Sequence, residues 1–160
     1  MKATLALVCS VFIAAAAALP ATSGTLRTLD VSGVWVPSDF GTTSCRSAAS
    51  LLFCATSAFR SDYTGSLTGA SRSDFVQVNN CVTGHAQGIG LEKFTGSIAG
   101  LGSGTLTWVI RFSSALAPDC FTPTSFEGDG FITSGTGALA RVRGSLHFTF
   151  DGYTGTLRVP

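Results

Sequence analysis

Residues Phe126 to Val159 read FEGDGFITSGTGALARVRGSLHFTFDGYTGTLRV. Apolar and polar residues alternate through this stretch, and glycines break it at short intervals. Alternation with a period of two marks strands that bury one face. The glycines mark tight turns and sharp backbone bends. The stretch is therefore read as consecutive antiparallel strands, and the rest of the chain follows the same grammar.

Working outward, strands are expected around Val31–Val36, Tyr63–Ala70, Phe75–Val82, Ala86–Phe94, Gly104–Ser113, Thr124–Thr133, Ala138–Phe150 and Tyr153–Val159. Ser38–Arg46 is rich in Ser, Thr and Gly and is read as loop. Ser47–Phe59 fits either a short helix or a strand. Gly100–Gly104 is read as a hairpin turn, because no helix follows it to cradle a phosphate. The spacing of the turns favours a closed barrel or a sandwich.

The first residues carry a different signal. Lys2 is followed by an uncharged, mostly apolar run from Ala3 to Leu19, then by Pro20, Ala21, Thr22, Ser23 and Gly24. This is the layout of a secretory signal peptide covering residues 1–21, with cleavage after Ala18 or, preferably, Ala21. A spanning helix needs roughly 20 apolar residues, and no basic cluster follows the run, so a stable membrane anchor is not expected. The remainder, residues 22–160, fits one domain. Ten Lys and Arg less Lys2 leaves nine, against nine Asp and Glu. A neutral chain offers no basic field for nucleic acid or anionic lipid.

Cys9 lies in the signal, which leaves Cys45, Cys54, Cys81 and Cys120. An even count in a secreted chain reads as two disulfides. Of the three pairings, Cys45–Cys54 with Cys81–Cys120 is preferred: the first closes a short segment and the second staples distant strand ends. The cysteine spacing and the separation of His85 from His147 speak against a metal site, and no cofactor is expected.

Parity along each strand sorts the faces. Leu106, Trp108, Ile110 and Phe112 share the inner face, as do Val142, Leu146, Phe148 and Phe150. Phe126, Gly128, Gly130 and Ile132 join them, with Tyr153, Gly155, Leu157 and Val159. Arg111, Glu127, Asp129, Phe131, Arg141, Arg143 and His147 go outside. In Gly84–Gly96, Ala86, Gly88, Gly90, Glu92 and Phe94 share one parity. With Phe94 inside, Glu92 goes inside too, among small residues that leave space. An interior carboxyl is a candidate acid or base, since burial raises its pKa. A bulge at Gly88 or Gly90 would instead turn Glu92 outward, and a third reading pairs it with an arginine. No Gly-x-Ser-x-Gly elbow is present. His85 could stand at a barrel mouth, but no His/Asp/nucleophile set assembles.

Phe94-Thr95-Gly96, Gly100 and Gly104-Thr105-Leu106 resemble the central hairpin of allene oxide cyclase-like barrels. Phe126-x-Gly128-x-Gly130-x-Ile132, Gly135-Thr136-Gly137-x-Leu139 and Arg143-Gly144 resemble their terminal repeat, and dirigent proteins share a similar glycine-rich stretch. The likeness spans residues 84–159. It implies an all-β fold, a single closed antiparallel barrel of about eight strands around an apolar cavity, here disulfide-stapled and with at most one short helix. It also implies cofactor-free cyclisation, isomerisation or coupling of a small apolar molecule. Phe94, Trp108, Phe126, Phe148 and Tyr153 would line the pocket, with Glu92 as its polar group. Two other functions fit the same residues. One is an extracellular ligand carrier without chemistry. The other is an interaction protein whose Ser38–Arg60 region meets a partner. A homo-oligomer is open in each case.

Overall fold

The computed structural model describes residues 26–159, so the signal-peptide reading of residues 1–21 lies outside the described residues. Nine strands follow one another: β1 (Arg27–Asp39), β2 (Thr42–Ala48), β3 (Leu51–Gly65), β4 (Leu67–Asn80), β5 (His85–Ile98), β6 (Gly102–Ala115), β7 (Glu127–Gly137), β8 (Arg143–Thr149) and β9 (Gly152–Val159). Sequential strands pair antiparallel from β2 to β9, and β9 pairs with β1. The second half of β1 then pairs with β3, which closes a ring of eight strands and leaves β2 outside it on the edge of β3. The protein is an all-β antiparallel barrel with no helix among the described residues.

β1 changes partner at Gly33, which is opposite Tyr153 of β9 and Gly65 of β3. A side chain there would strike the Thr64 carbonyl and the Tyr153 ring, so the crossing needs glycine. A second set of glycines runs around one end. Gly69, Gly96, Gly104 and Gly137 stand in register across four adjacent strands. A Cβ on Gly69, Gly96 or Gly104 would meet the carbonyl of the neighbouring strand. These belt glycines let the strands coil tightly, and three of them belong to the pattern that carried the family resemblance.

Glycines and bulky residues alternate around the inner wall. Phe75, Gly90, Ile110, Gly130, Leu146, Gly155 and Val31 form one register row. Gly88, Phe112, Gly128 and Phe148 lie in the next. Phe75, Phe112, Leu146 and Phe148 each lean over a neighbouring glycine, which is how a small barrel fills its interior. The core comprises Phe94, Leu106, Trp108, Ile110, Leu146, Phe148, Tyr153, Leu157 and their neighbours.

Four sequence expectations need correction. Ser38–Arg46 is largely strand: β2 hydrogen-bonds along β3, which supplies the order that its polar composition conceals. Ser47–Phe59, which fits either a helix or a strand by sequence, is strand on both sides of the Ala49–Ser50 turn and needs no correction. Tyr63–Ala70 spans the turn between β3 and β4 at Ser66, and Ala138–Val142 forms a turn before β8. Phe150 is exposed, because β8 ends at Thr149 and the chain turns before parity can carry the ring inward. The disulfides join Cys45 to Cys54 and Cys81 to Cys120. The second holds the Leu116–Ser125 segment against β4, where Asn79 Nδ2 donates to the Cys120 carbonyl at 2.8 Å.

Candidate functional site

Glu92 points inward. β5 pairs with β4 and β6 without a register shift, so neither Gly88 nor Gly90 forms the bulge that would have turned it out. The side chain is 5% exposed. Its carboxyl is held by two aromatic residues: the Tyr63 hydroxyl donates to Oε1 at 2.7 Å, and the Trp108 indole N–H donates to Oε2 at 3.1 Å. Trp108 is its cross-strand neighbour on β6, and Ser73 is its neighbour on β4. Among the described residues Glu92 makes no ion pair with an arginine.

Burial pushes the Glu92 pKa up. Ser71, Tyr63, Trp108 and Ser73 pull the other way by favouring the carboxylate, but burial outweighs them. Ser71 Oγ has no partner at hydrogen-bonding geometry, so its influence is that of a nearby dipole. Tyr63 is pushed well above the ordinary tyrosine range, first by burial and then by the charge and hydrogen bond of Glu92. With Ser61, Ser71 and Ser73 also buried, one side of the interior is a polar wall in an otherwise apolar barrel.

Tyr63 is the hub of the aromatic core. It meets Phe94, Trp108, Phe148 and Tyr153 at centroid distances of 5.5, 6.2, 6.4 and 5.6 Å. Four of the five expected lining residues thus gather around Tyr63, the partner of Glu92, all nearly fully buried. The fifth, Phe126, is only half-buried and meets Trp35 at 5.3 Å and Phe112 at 5.6 Å.

The space left by Gly88 and Gly90 is occupied. A Cβ on Gly88 would strike the Phe112 ring, and one on Gly90 would lie 2.6 Å from Phe75 Cβ. Phe112 and Phe75 roof Glu92 from the end of the barrel opposite the glycine belt. They belong to a chain of half-buried inward rings running Phe59, Phe75, Phe112, Phe126 and Trp35. Phe40 continues it into solvent from Phe59.

A concavity lies on the outer face. It is a groove of about 1030 Å³ along the register row Ala55, Val76, Ile89, Arg111, Asp129 and His147. Phe53, Val76, Val78 and Ile89 supply an exposed apolar floor. His147 Nδ1 lies 2.9 Å from Asp129 Oδ1 at one end. As parity expected, Arg111, Glu127, Asp129 and His147 are on the outside. His85 is exposed at the start of β5.

Sequence reasoning missed Tyr63, Ser71, Ser73, Trp35, Phe59 and Phe75 as site residues. Ser71, Ser73 and Phe75 share a parity on β4 that could have revealed them. Tyr63 follows a bulge between Thr56 and Phe59 that breaks the count. The chain matches no family model and no curated protein.

Proposed function

We propose that this is a secreted barrel that takes up a small apolar molecule at its aromatic end, with Glu92 as the polar group beneath. The observation that carries the reading is the run of half-buried rings above a buried, hydrogen-bonded carboxyl. Partly exposed aromatics lose little side-chain freedom when they close on a ligand, and they offer large apolar area. The ligand would reach Glu92 by displacing Phe75 and Phe112. Two disulfides fit an oxidising compartment, and the glycine pattern aligns the chain with allene oxide cyclase-like barrels.

The most concrete chemistry on this reading is a cofactor-free isomerisation or cyclisation. Confinement would hold one conformer of the substrate. Glu92 as carboxylate would accept a proton from one carbon and return it to another, which conserves atoms and electrons. Tyr63 would hold the carboxyl in place. Titration with decan-1-ol and with geraniol, followed through the indole resonances of the two tryptophans, tests binding. Trp35, a half-buried member of the ring chain, should shift strongly, and Phe112→Ala should change the affinity. If neither probe moves Trp35, the reading fails.

The outer groove favours a second reading, a non-catalytic interaction barrel. Its apolar floor is exposed, and β2 and β3 from the Ser38–Arg60 region form one side of it. Shifts confined to Val76, Val78 and Ile89 in the same titration would support this alternative.

A further inference from the structure

β2 is a free edge of the sheet. It pairs with β3 on one side, and all seven of its residues are exposed. The direction of its backbone groups follows from the cross-strand disulfide. Cys45 and Cys54 are register partners with Cα atoms 4.1 Å apart. That close approach belongs to a pair that does not exchange backbone hydrogen bonds. The two-residue turn Ala49–Ser50 gives the same phase, since it closes on Ala48 and Leu51 as a hydrogen-bonded pair. Thr42, Ser44, Arg46 and Ala48 therefore bond to β3. The N–H and C=O groups of Thr43, Cys45 and Ser47 point away from it, a row of six unpaired backbone groups.

Natural edges are usually blunted by proline, charged side chains or a bulge. The β2 sequence TTSCRSA has no proline and a single charge, Arg46, and its register with β3 is continuous. The neighbouring half of β1 carries Pro37, so protection stops where β2 begins.

We infer that β2 is a dimerisation edge, joining two copies of this chain antiparallel about a two-fold axis at Cys45. In this register Cys45 faces Cys45 of the partner subunit, and Thr43 faces Ser47 of the partner subunit. All six outward groups of each strand are then in position to pair. The edge is also matched in charge. Arg46 is the only charged residue on β2, and it falls opposite Ser44 of the partner subunit, so no like charges stand face to face. The pairing would join the two sheets and bring the outer grooves, which Ser44 and Arg46 help to line, to a common centre. This inference is independent of any ligand in the barrel.

Sedimentation velocity over a concentration series tests it, with the mature wild type beside Ser47→Pro. Proline at position 47 removes an outward N–H and no bond to β3, so the barrel should keep its strand signature and both disulfides. The wild type should form a dimer, and Ser47→Pro should weaken it about tenfold or more, because the two-fold axis counts the loss twice. Amide exchange supplies a second readout. Protection at Thr43, Cys45 and Ser47 should rise with protein concentration, while that at Ser44 and Arg46 stays constant. A wild type that remains monomeric at its highest soluble concentration would overturn the inference. So would a dimer that Ser47→Pro leaves intact.

Discussion

Tyr63 donates its phenolic hydrogen to Glu92 across the barrel interior at 2.7 Å, joining β3 to β5 with β4 between them. The bond places the hub of the aromatic core in contact with the one buried carboxyl among the described residues. Packing and polarity thus meet at one point.

The first test is pH. Burial raises the folded-state pKa of Glu92 above its ordinary value. The native state then binds the proton more tightly than the unfolded chain does. The resulting stability is fully present below the unfolded pKa and is lost as pH rises through the folded one. The Glu92 contribution to wild-type stability should therefore decline as pH rises from the unfolded to the folded pKa. Glu92→Gln should flatten this part of the profile, because an amide has no charge to desolvate. Urea unfolding across the pH series measures both. A wild-type profile that the substitution leaves unchanged would contradict the assignment.

Tyr63→Phe keeps the ring contacts and removes the hydroxyl. Glu92 Oε1 then loses its donor, at a cost of about 1–3 kcal/mol. The Tyr63 hydroxyl favours the carboxylate, so its loss should also push the Glu92 pKa further up. Carbon-13 NMR titration of the glutamate carboxyls reads this directly. A downward move would mean that the hydroxyl favours the protonated form.

Glycine substitutions should rank by what they strike. Gly104→Ala drives a methyl group into the Thr136 carbonyl, and backbone there cannot move without disturbing the belt. Gly88→Ala meets the Phe112 ring, which can turn toward solvent. Overpacking of this kind costs about 1–3 kcal/mol, with Gly104→Ala expected at or above the upper end. Gly88→Ala should fall lower and alter binding of geraniol or decan-1-ol. Thermal melts of the two variants test the order.

The disulfides should also differ. Cys81–Cys120 spans 39 residues and Cys45–Cys54 spans 9. Loop entropy alone gives about 4 and about 2.5 kcal/mol. Replacing the first pair with serine should therefore lower the melting temperature more, and it should release the Leu116–Ser125 segment from Asn79. Exchange of the Cys120-region amides reports the release.

The glycine-punctuated C-terminal strands were legible because β6 to β9 keep a strict alternation over most of their length. Their inner and outer faces follow from parity alone, and Glu92 was found by the same count on β5. The count failed where geometry interrupts it. The bulge before Phe59 shifts the phase of β3, so Tyr63 could not be assigned a face from its neighbours. β2 has too few apolar residues to announce itself, since its order comes from hydrogen bonds to β3. The glycines of β5 suggested open space. Only the positions of Phe75 and Phe112 on adjacent strands show what fills it, and such cross-strand registers are not written in any local pattern.

The most direct measurement is a crystal structure of the mature protein soaked with geraniol. The proposed function predicts ligand density among Phe75, Phe112, Phe126 and Trp35, with the two phenylalanine rings displaced and Glu92 exposed to the bound molecule. Density confined to the outer groove over Val76 and Ile89, with the aromatic end unchanged, would contradict it.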